Sequence, residues 1–250
     1  MMEAPQTSGV TRFMTLDFED GSREQMLGCV TSLARAASSY VVTPNVDHVV
    51  KLLEGKIHAD VYRGAGMKVC DSRILSHLAR LRGQKLSVYP GSDMTADLLV
   101  SKAAKGFVIG VFGPDKAAFD DLVARYPEMH LIYLDAPMMQ PDDAAWDKAV
   151  AKVQSAPWDV LLVCISFPKQ ELFAHALKAA GRDRGVALCV GASVDFLTGR
   201  QQRAPRLMQS LSLEWLYRLL SQPRRMFRRY VIEAPAIFGW FIRTEVFRPR

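Results

Sequence analysis

Asp71 lies in Met67-Lys68-Val69-Cys70-Asp71-Ser72-Arg73, where a short apolar run gives way to a helical pattern. A carboxylate at such a junction has two readings. It caps the helix N-terminus, a position where aspartate is favoured, or it points into a cleft and serves as a general base. Gln170 and Glu171 follow Phe167-Pro168-Lys169, directly after the apolar run at 159–166. Proline with Gln and Glu behind it is a helix-initiation signal. The Gln170 amide is equally suited to hydrogen-bond a sugar or a uracil at a strand end. Asp195, inside the stretch GASVDFLTG at 191–199, carries the same two readings.

Several other chemistries lack their residues. Gly110 and Gly113 follow a strand-like run but have the wrong spacing for GxGxxG, and no GxxxxGK[ST] occurs. They are either turn glycines or places where backbone approaches a ligand closely. No Asp-x-Asp is present, so the carboxylate pair that holds a metal-bound diphosphate is missing. The five histidines show no paired spacing and the four cysteines form no CxxC, so no metal is expected.

The C-terminal fifth is different. From Arg200 to Arg250 there are eleven arginines, no lysine and three acids, a net charge of +8, whereas the rest of the chain carries −2. Arg218, Arg225, Arg228 and Arg229 stand on nearby turns among Trp215, Tyr217, Phe227, Tyr230, Trp240 and Phe241. Such a segment is a solvated basic face, a phosphate site or a membrane-interface element. A nucleic-acid-binding α/β protein with a basic tail is the alternative of a different class. It requires the aromatics to stack on bases and binding to fall steeply with salt.

These residues need elements to hold them. The composition, 49% hydrophobic and 23% charged, is that of a globular chain with a continuous core. Apolar runs at 86–91, 107–113, 131–137, 159–166 and 185–193 alternate with helical patterns around 94–105, 115–126, 143–155 and 170–181. Strands without polar alternation are covered on both faces, as in a parallel sheet. The N-terminal part predicts a strand around 12–18 and a helix around 22–37, and the stretch from Tyr40 reads as a strand that breaks at Thr43-Pro44-Asn45 into a helix. The fold class predicted is α/β, a Rossmann-like parallel sheet with helices on both faces plus a basic helical appendage. The domains are 1–199 and 200–250, with long helices at 204–220 and 223–243. Ligands belong at the carboxyl ends of the strands. No apolar stretch reaches the roughly 18 residues of a spanning helix, and the N-terminus lacks the apolar core of a secretory signal.

TPN at 43–45, Asp71, PKQE at 168–171, GASVDFLTG at 191–199, RAP at 203–205 and LEWLYRLLSQPRRMFRRY at 213–230 together resemble the WecG/TagA/CpsF glycosyltransferases. The resemblance implies an inverting, metal-independent transfer from a UDP-sugar to an undecaprenyl-diphosphate-linked saccharide, with no cofactor. It casts Asp71 as the base, Thr43 and Asn45 as lining the active cleft and Gln170 as positioning the sugars, so that Asp71, Thr43 and Gln170 form the expected catalytic set. Asn45 is expected to bind substrate, and the positions of Gly110, Gly113, Glu171 and Asp195 in the sequence add them to the expected substrate-binding residues. Arg218, Arg225 and Arg228 would come over the site and neutralise diphosphate charge. The partners implied are the UDP-sugar, the lipid-linked acceptor and an anionic membrane surface on the cytoplasmic side, with no nucleic acid and a homo-oligomer left open. The donor is ManNAc-like or glucose-like, and the setting is cell-surface or exopolysaccharide synthesis. The chain departs from the family pattern at Ser72 (glycine in most members), at Ser166 (glycine) and at Val88 (arginine).

Overall fold

The computed structural model describes residues 9–247, except the side chains of Arg206, Ser210 and Arg225. Strands β1 (Gly9–Phe13) and β2 (Leu16–Asp20) form an antiparallel hairpin, followed by helix α1 (Arg23–Arg35). Then come β3 (Ser39–Val42), α2 (Val46–Leu53), α3 (Ala59–Arg63), β4 (Met67–Lys68), α4 (Arg73–Leu81) and α5 (Gly91–Val100). The second half runs β5 (Val108–Phe112), α6 (Lys116–Arg125), β6 (His130–Leu134), α7 (Ala144–Ser155), β7 (Val160–Val163), α8 (Lys169–Ala179), β8 (Val186–Cys189) and α9 (Ser193–Leu197).

Strands β3 to β8 make one six-stranded sheet in the order β4-β3-β8-β7-β5-β6, parallel at every pairing. Strands β3, β7 and β8 are buried along their whole length. Their side chains alternate between two core layers. Tyr40, Val42, Leu161, Val163, Ala187 and Cys189 face the layer under α2, α4, α7 and α8. Val41, Val160, Leu162, Val186 and Leu188 face the layer under α1, α5 and α6. This is why the runs read as continuously apolar: both sides of the pleat are inside.

Three expectations are corrected. The strand expected around 12–18 is instead the hairpin of β1 and β2, which turns at Met14 and Thr15. The run at 86–91 is not a full strand and touches the sheet only through one parallel bridge, Cys70 to Val88. The Ser87 N–H donates to the Asp20 carboxylate (2.9 Å), and Pro90 has no N–H to give. The chain therefore leaves the sheet and enters α5 at Gly91. The two long helices predicted after residue 203 are broken into α10 (Arg206–Ser210), α11 (Glu214–Ser221), α12 (Pro223–Phe227) and α13 (Ala236–Phe241). Ser212 at φ 62° interrupts the first stretch, the Gln222-Pro223 step separates the two as expected, and π-helical turns over Arg228–Glu233 and Ile242–Val246 interrupt and extend the second.

This tail, residues 200–247, returns onto the body of the protein. Ile237 and Phe241 enter the same core layer as Phe13 and Met14, with the Phe13 and Phe241 rings 6.2 Å apart. The hairpin turn has positive φ at Met14 (46°) and Thr15 (73°), conformations that two-residue hairpins favour but non-glycine residues resist. The turn is held because Met14 is fully buried and its N–H donates to Glu245 Oε1 at 2.8 Å. Phe241→Ala removes the ring that packs on this turn and should cost about 3 kcal/mol. Limited proteolysis should then cut first beyond residue 199 while the sheet stays protected; unchanged cleavage would show that the hairpin does not hold the tail.

Candidate active site

A polar cleft of about 470 Å³ opens at the carboxyl ends of β3, β7 and β8. Thr43 follows β3, Cys164 to Phe167 follow β7, and Gly191 to Asp195 follow β8, so each lies where its strand ends. The first residues of α2, α5 and α8 border the same space, and their N-terminal dipoles favour an anion there. An apolar chamber of about 390 Å³ adjoins the cleft, walled by α2, α4 and the tail. Asn45, Asp47, Asp71, Glu214, Arg218 and Arg229 line both spaces.

Asp71 stands at this junction. The capping reading fails, because Ser72 is the N-cap of α4 and its hydroxyl accepts from the Leu75 N–H (3.3 Å). The Asp71 carboxylate makes no hydrogen bond among the described residues, and its backbone N–H donates to the Pro44 carbonyl (3.0 Å). Burial pushes its carboxyl up to about 7; Arg218 and Arg203 oppose that shift, and Glu214 and Asp93 add to it. A half-desolvated carboxyl poised near neutrality is a competent proton acceptor.

Thr43 and Asn45 line the cleft but also serve the fold. The Thr43 hydroxyl donates to the Cys189 carbonyl (2.9 Å), tying β3 to β8. The Asn45 side-chain oxygen caps α2 by accepting from the Asp47 N–H (3.0 Å), which leaves its amide NH₂ at the junction. Gln170 is 5% exposed and used at both poles. Its Oε1 accepts from the Gly191 N–H (2.8 Å) and its Nε2 donates to Glu171 Oε1 (2.7 Å). The amide thus has one fixed orientation and still offers one N–H toward the cleft.

Glu171 does not line the cleft. It is fully buried, its Oε2 has no partner among the described residues, and Oε1 lies 3.7 Å from His48 Nδ1. Its expected place at the substrates is therefore corrected to a support for Gln170. Burial pushes its carboxyl up to about 8, the Gln170 hydrogen bond opposing and Asp47 adding. Burial, followed by Arg229 and Lys51, holds the His48 imidazole well below its ordinary range. At neutral pH both are uncharged, and the His48 ring stacks on Phe167 at 3.8 Å.

The two glycines are also corrected. Gly110 sits inside β5, where a Cβ would meet Leu134 and Leu161 side chains at 3.0 Å. At Gly113, with φ 127°, a Cβ would press on the Cys164 carbonyl at 2.6 Å. Their lack of a side chain serves strand packing, and neither borders the cleft. Gly191 is the glycine that does. Asp195 lines the cleft, its carboxyl raised chiefly by burial.

Among the tail arginines, Arg218 lies over the Phe196 ring (5.3 Å) and faces both spaces. Arg228 is not brought to the site: its side chain is 82% exposed and pairs with Glu233 (2.9 Å). The side chain of Arg225 lies outside the described residues. Two arginines absent from the predicted set take their place. Arg229 pairs with the buried Asp47 (3.2 Å), and Arg203 pairs with Asp93 at the cleft wall. The RAP motif contained the signal for Arg203. Arg229 belonged to the arginine cluster of the tail, but adjacent residues on a helix point about 100° apart, and the sequence does not say whether Arg228 or Arg229 faces inward.

The protonation of Glu171 is open to a stability measurement. A carboxyl with a pKa of about 4.5 unfolded and about 8 folded keeps its proton in the folded state while the unfolded chain releases it. Its stability contribution is whole below pH 4.5 and is lost as pH rises to 8. Glu171→Gln, which keeps the acceptor for Gln170, should raise Tm by several degrees at pH 8 and little at pH 5. Equal shifts at both would show that Glu171 is ionised at neutral pH.

The profile of the Glycosyl transferase WecG/TagA/CpsF family matches residues 11–250, nearly the whole chain. Membership implies a sugar-nucleotide donor and a lipid-linked acceptor, which suits a polar cleft joined to an apolar chamber. No helix of the described residues is long and apolar enough to cross a membrane. The chain belongs to the WecG/TagA/CpsF family and is a glycosyltransferase of cell-envelope polysaccharide synthesis.

Proposed function

We propose that the chain moves a hexose or N-acetylhexosamine from a UDP-sugar to an undecaprenyl-diphosphate-linked saccharide, with inversion and without a divalent metal. The acceptor hydroxyl attacks the anomeric carbon on the face opposite UDP. As the new C–O bond forms, the bond to the β-phosphate oxygen breaks and its electron pair leaves with UDP. Asp71 takes the hydroxyl proton. The observation that carries this reading is the position of Asp71 between cleft and chamber, its carboxylate without a hydrogen bond among the described residues and its pKa pushed up to about 7 by burial.

The leaving diphosphate gains negative charge, and Arg203, Arg218 and Arg229 border the space it would occupy. Fixed cations there supply the stabilisation that a metal supplies elsewhere. Arg203 takes the part that an arginine at Val88 would take. Gln170 and Asp195 meet the donor sugar, and Asn45 meets the acceptor.

The tail also docks peripherally on the inner face of the plasma membrane. Ten of the fifteen most exposed large apolar side chains among the described residues fall between 207 and 247, among them Phe227, Ile232 and Phe247. The outward Arg228 stands beside them, where it would meet anionic headgroups worth about 1 kcal/mol per basic residue.

A UDP-release screen across UDP-sugars in EDTA, with a short-chain lipid-diphosphate acceptor, tests the reaction. Release that appears only when Mg²⁺ or Mn²⁺ is restored would overturn the metal-free mechanism. The rate should rise with pH through about 7, because Asp71 must be ionised. Asp71→Asn should lose about 10²–10⁴ in turnover. Glu214→Gln should remain active while its acid limb moves to lower pH, since a neighbouring negative charge is gone. If Glu214→Gln were dead and Asp71→Asn active, Glu214 would be the base.

The two adjacent arginines separate anchoring from chemistry. Arg229→Ala should lower transfer to a soluble acceptor about a hundredfold. Arg228→Ala should leave that rate within about threefold and weaken pelleting with anionic vesicles. The reverse pattern would reassign both side chains.

A further inference from the structure

We infer that the apolar chamber beside Asp71 binds hydrocarbon attached to a diphosphate, so that the first part of the acceptor's tail is held by protein rather than left in the bilayer. This rests on the acceptor class proposed above. Val46 and Ile74 form one side of the chamber, and Trp215, Tyr230, Ile237 and Phe238 from the tail form the other. Polar residues also line the chamber, among them Asp71, Glu214, Arg218 and Arg229, which line the cleft as well; a polar group held against the apolar side chains would be desolvated without a partner. A chain of methylenes or isoprene units loses nothing there and gains burial.

The chamber's surroundings point to the occupant's chemistry. It adjoins the polar cleft, where Arg218 and Arg229 line both spaces and suit an anionic head. Phe238 belongs to the chamber wall and is also 55% exposed. It stands in the tail with Val231, Ile232 and Ile242, which are exposed as well. The tail thus provides an apolar outer surface, apolar chamber walls and cations beside the cleft. That combination of environments matches an amphiphile with a diphosphate head and a hydrocarbon chain.

The test uses the full-length protein without detergent, below the micelle concentration of each ligand. Inorganic diphosphate and the isopentenyl, geranyl and farnesyl diphosphates are titrated, with Kd from calorimetry and from tryptophan fluorescence, since Trp215 is in the wall. Affinity should tighten about fourfold per buried methylene and then level off when the chamber is full. Ala234→Phe, which narrows the chamber, should abolish the length dependence and leave UDP binding intact. The wild-type series decides the matter even if that variant fails to fold. Prenyl diphosphates that bind no tighter than inorganic diphosphate would overturn the inference. So would a fatty acid of equal length binding as tightly, because the head would then not be recognised. If the length dependence is found but no sugar is transferred, the chamber stands and the proposed reaction falls. If tailless saccharide diphosphates are glycosylated as efficiently as tailed ones, the reaction stands and the chamber falls.

Discussion

The carboxylate of Asp47 is almost entirely buried, yet it faces two cations from distant parts of the chain. Lys51 reaches it from one turn along α2 (3.1 Å), and Arg229 reaches it from the tail (3.2 Å). A buried carboxylate stripped of its partners is strongly unfavourable, so the tail has a defined seat. Lys51 also approaches Glu233 (3.8 Å), which in turn holds Arg228. The closed cleft follows from this arrangement. Without the tail, Arg218, Arg229 and Glu214 are gone, the chamber loses most of its wall, and Asp71 becomes an ordinary exposed carboxylate.

The sheet contributes the opposite quality, a rigid floor. Parallel strands place successive loops at one edge, and the helices that begin there aim their N-termini inward. Cross-links among those loops keep the floor in register: Thr43 to the Cys189 carbonyl, and Gln170 to both Gly191 and Glu171. The neutral state of Glu171 suits that purpose, since a buried anion beside the cleft would repel phosphate. Division of labour follows, with the sheet fixing the loops around the cleft and the tail supplying Arg218 and Arg229 to its border.

How much of this was legible depends on how far a residue's role is local. Continuous apolar runs implied strands covered on both faces, and the location of the cleft followed from parallel topology. Helices α6, α7 and α8 lie within a residue or two of their predicted spans. Asp71 and Ser72 are adjacent and both able to cap, so only the backbone path decides which does. Gly110 and Gly113 had the look of ligand glycines, but their crowding comes from Leu134, Leu161 and Cys164, which belong to other segments. Arg228 and Arg229 differ by one step on a helical surface, and a partner 182 positions away, Asp47, selects between them. The tail's breaks at Ser212 and in its π-helical turns reflect docking, which no local pattern records.

The bond from Met14 to Glu245 joins positions 231 residues apart. Closing so long a loop carries an entropic cost that only prior order in the intervening chain reduces. Order in the sheet reduces that cost, so the body of the molecule and the seat of its tail depend on one another. A chain still being synthesised, or one clipped near either end, would hold its α/β body while lacking the enclosed, arginine-lined space in which sugar transfer is proposed to occur.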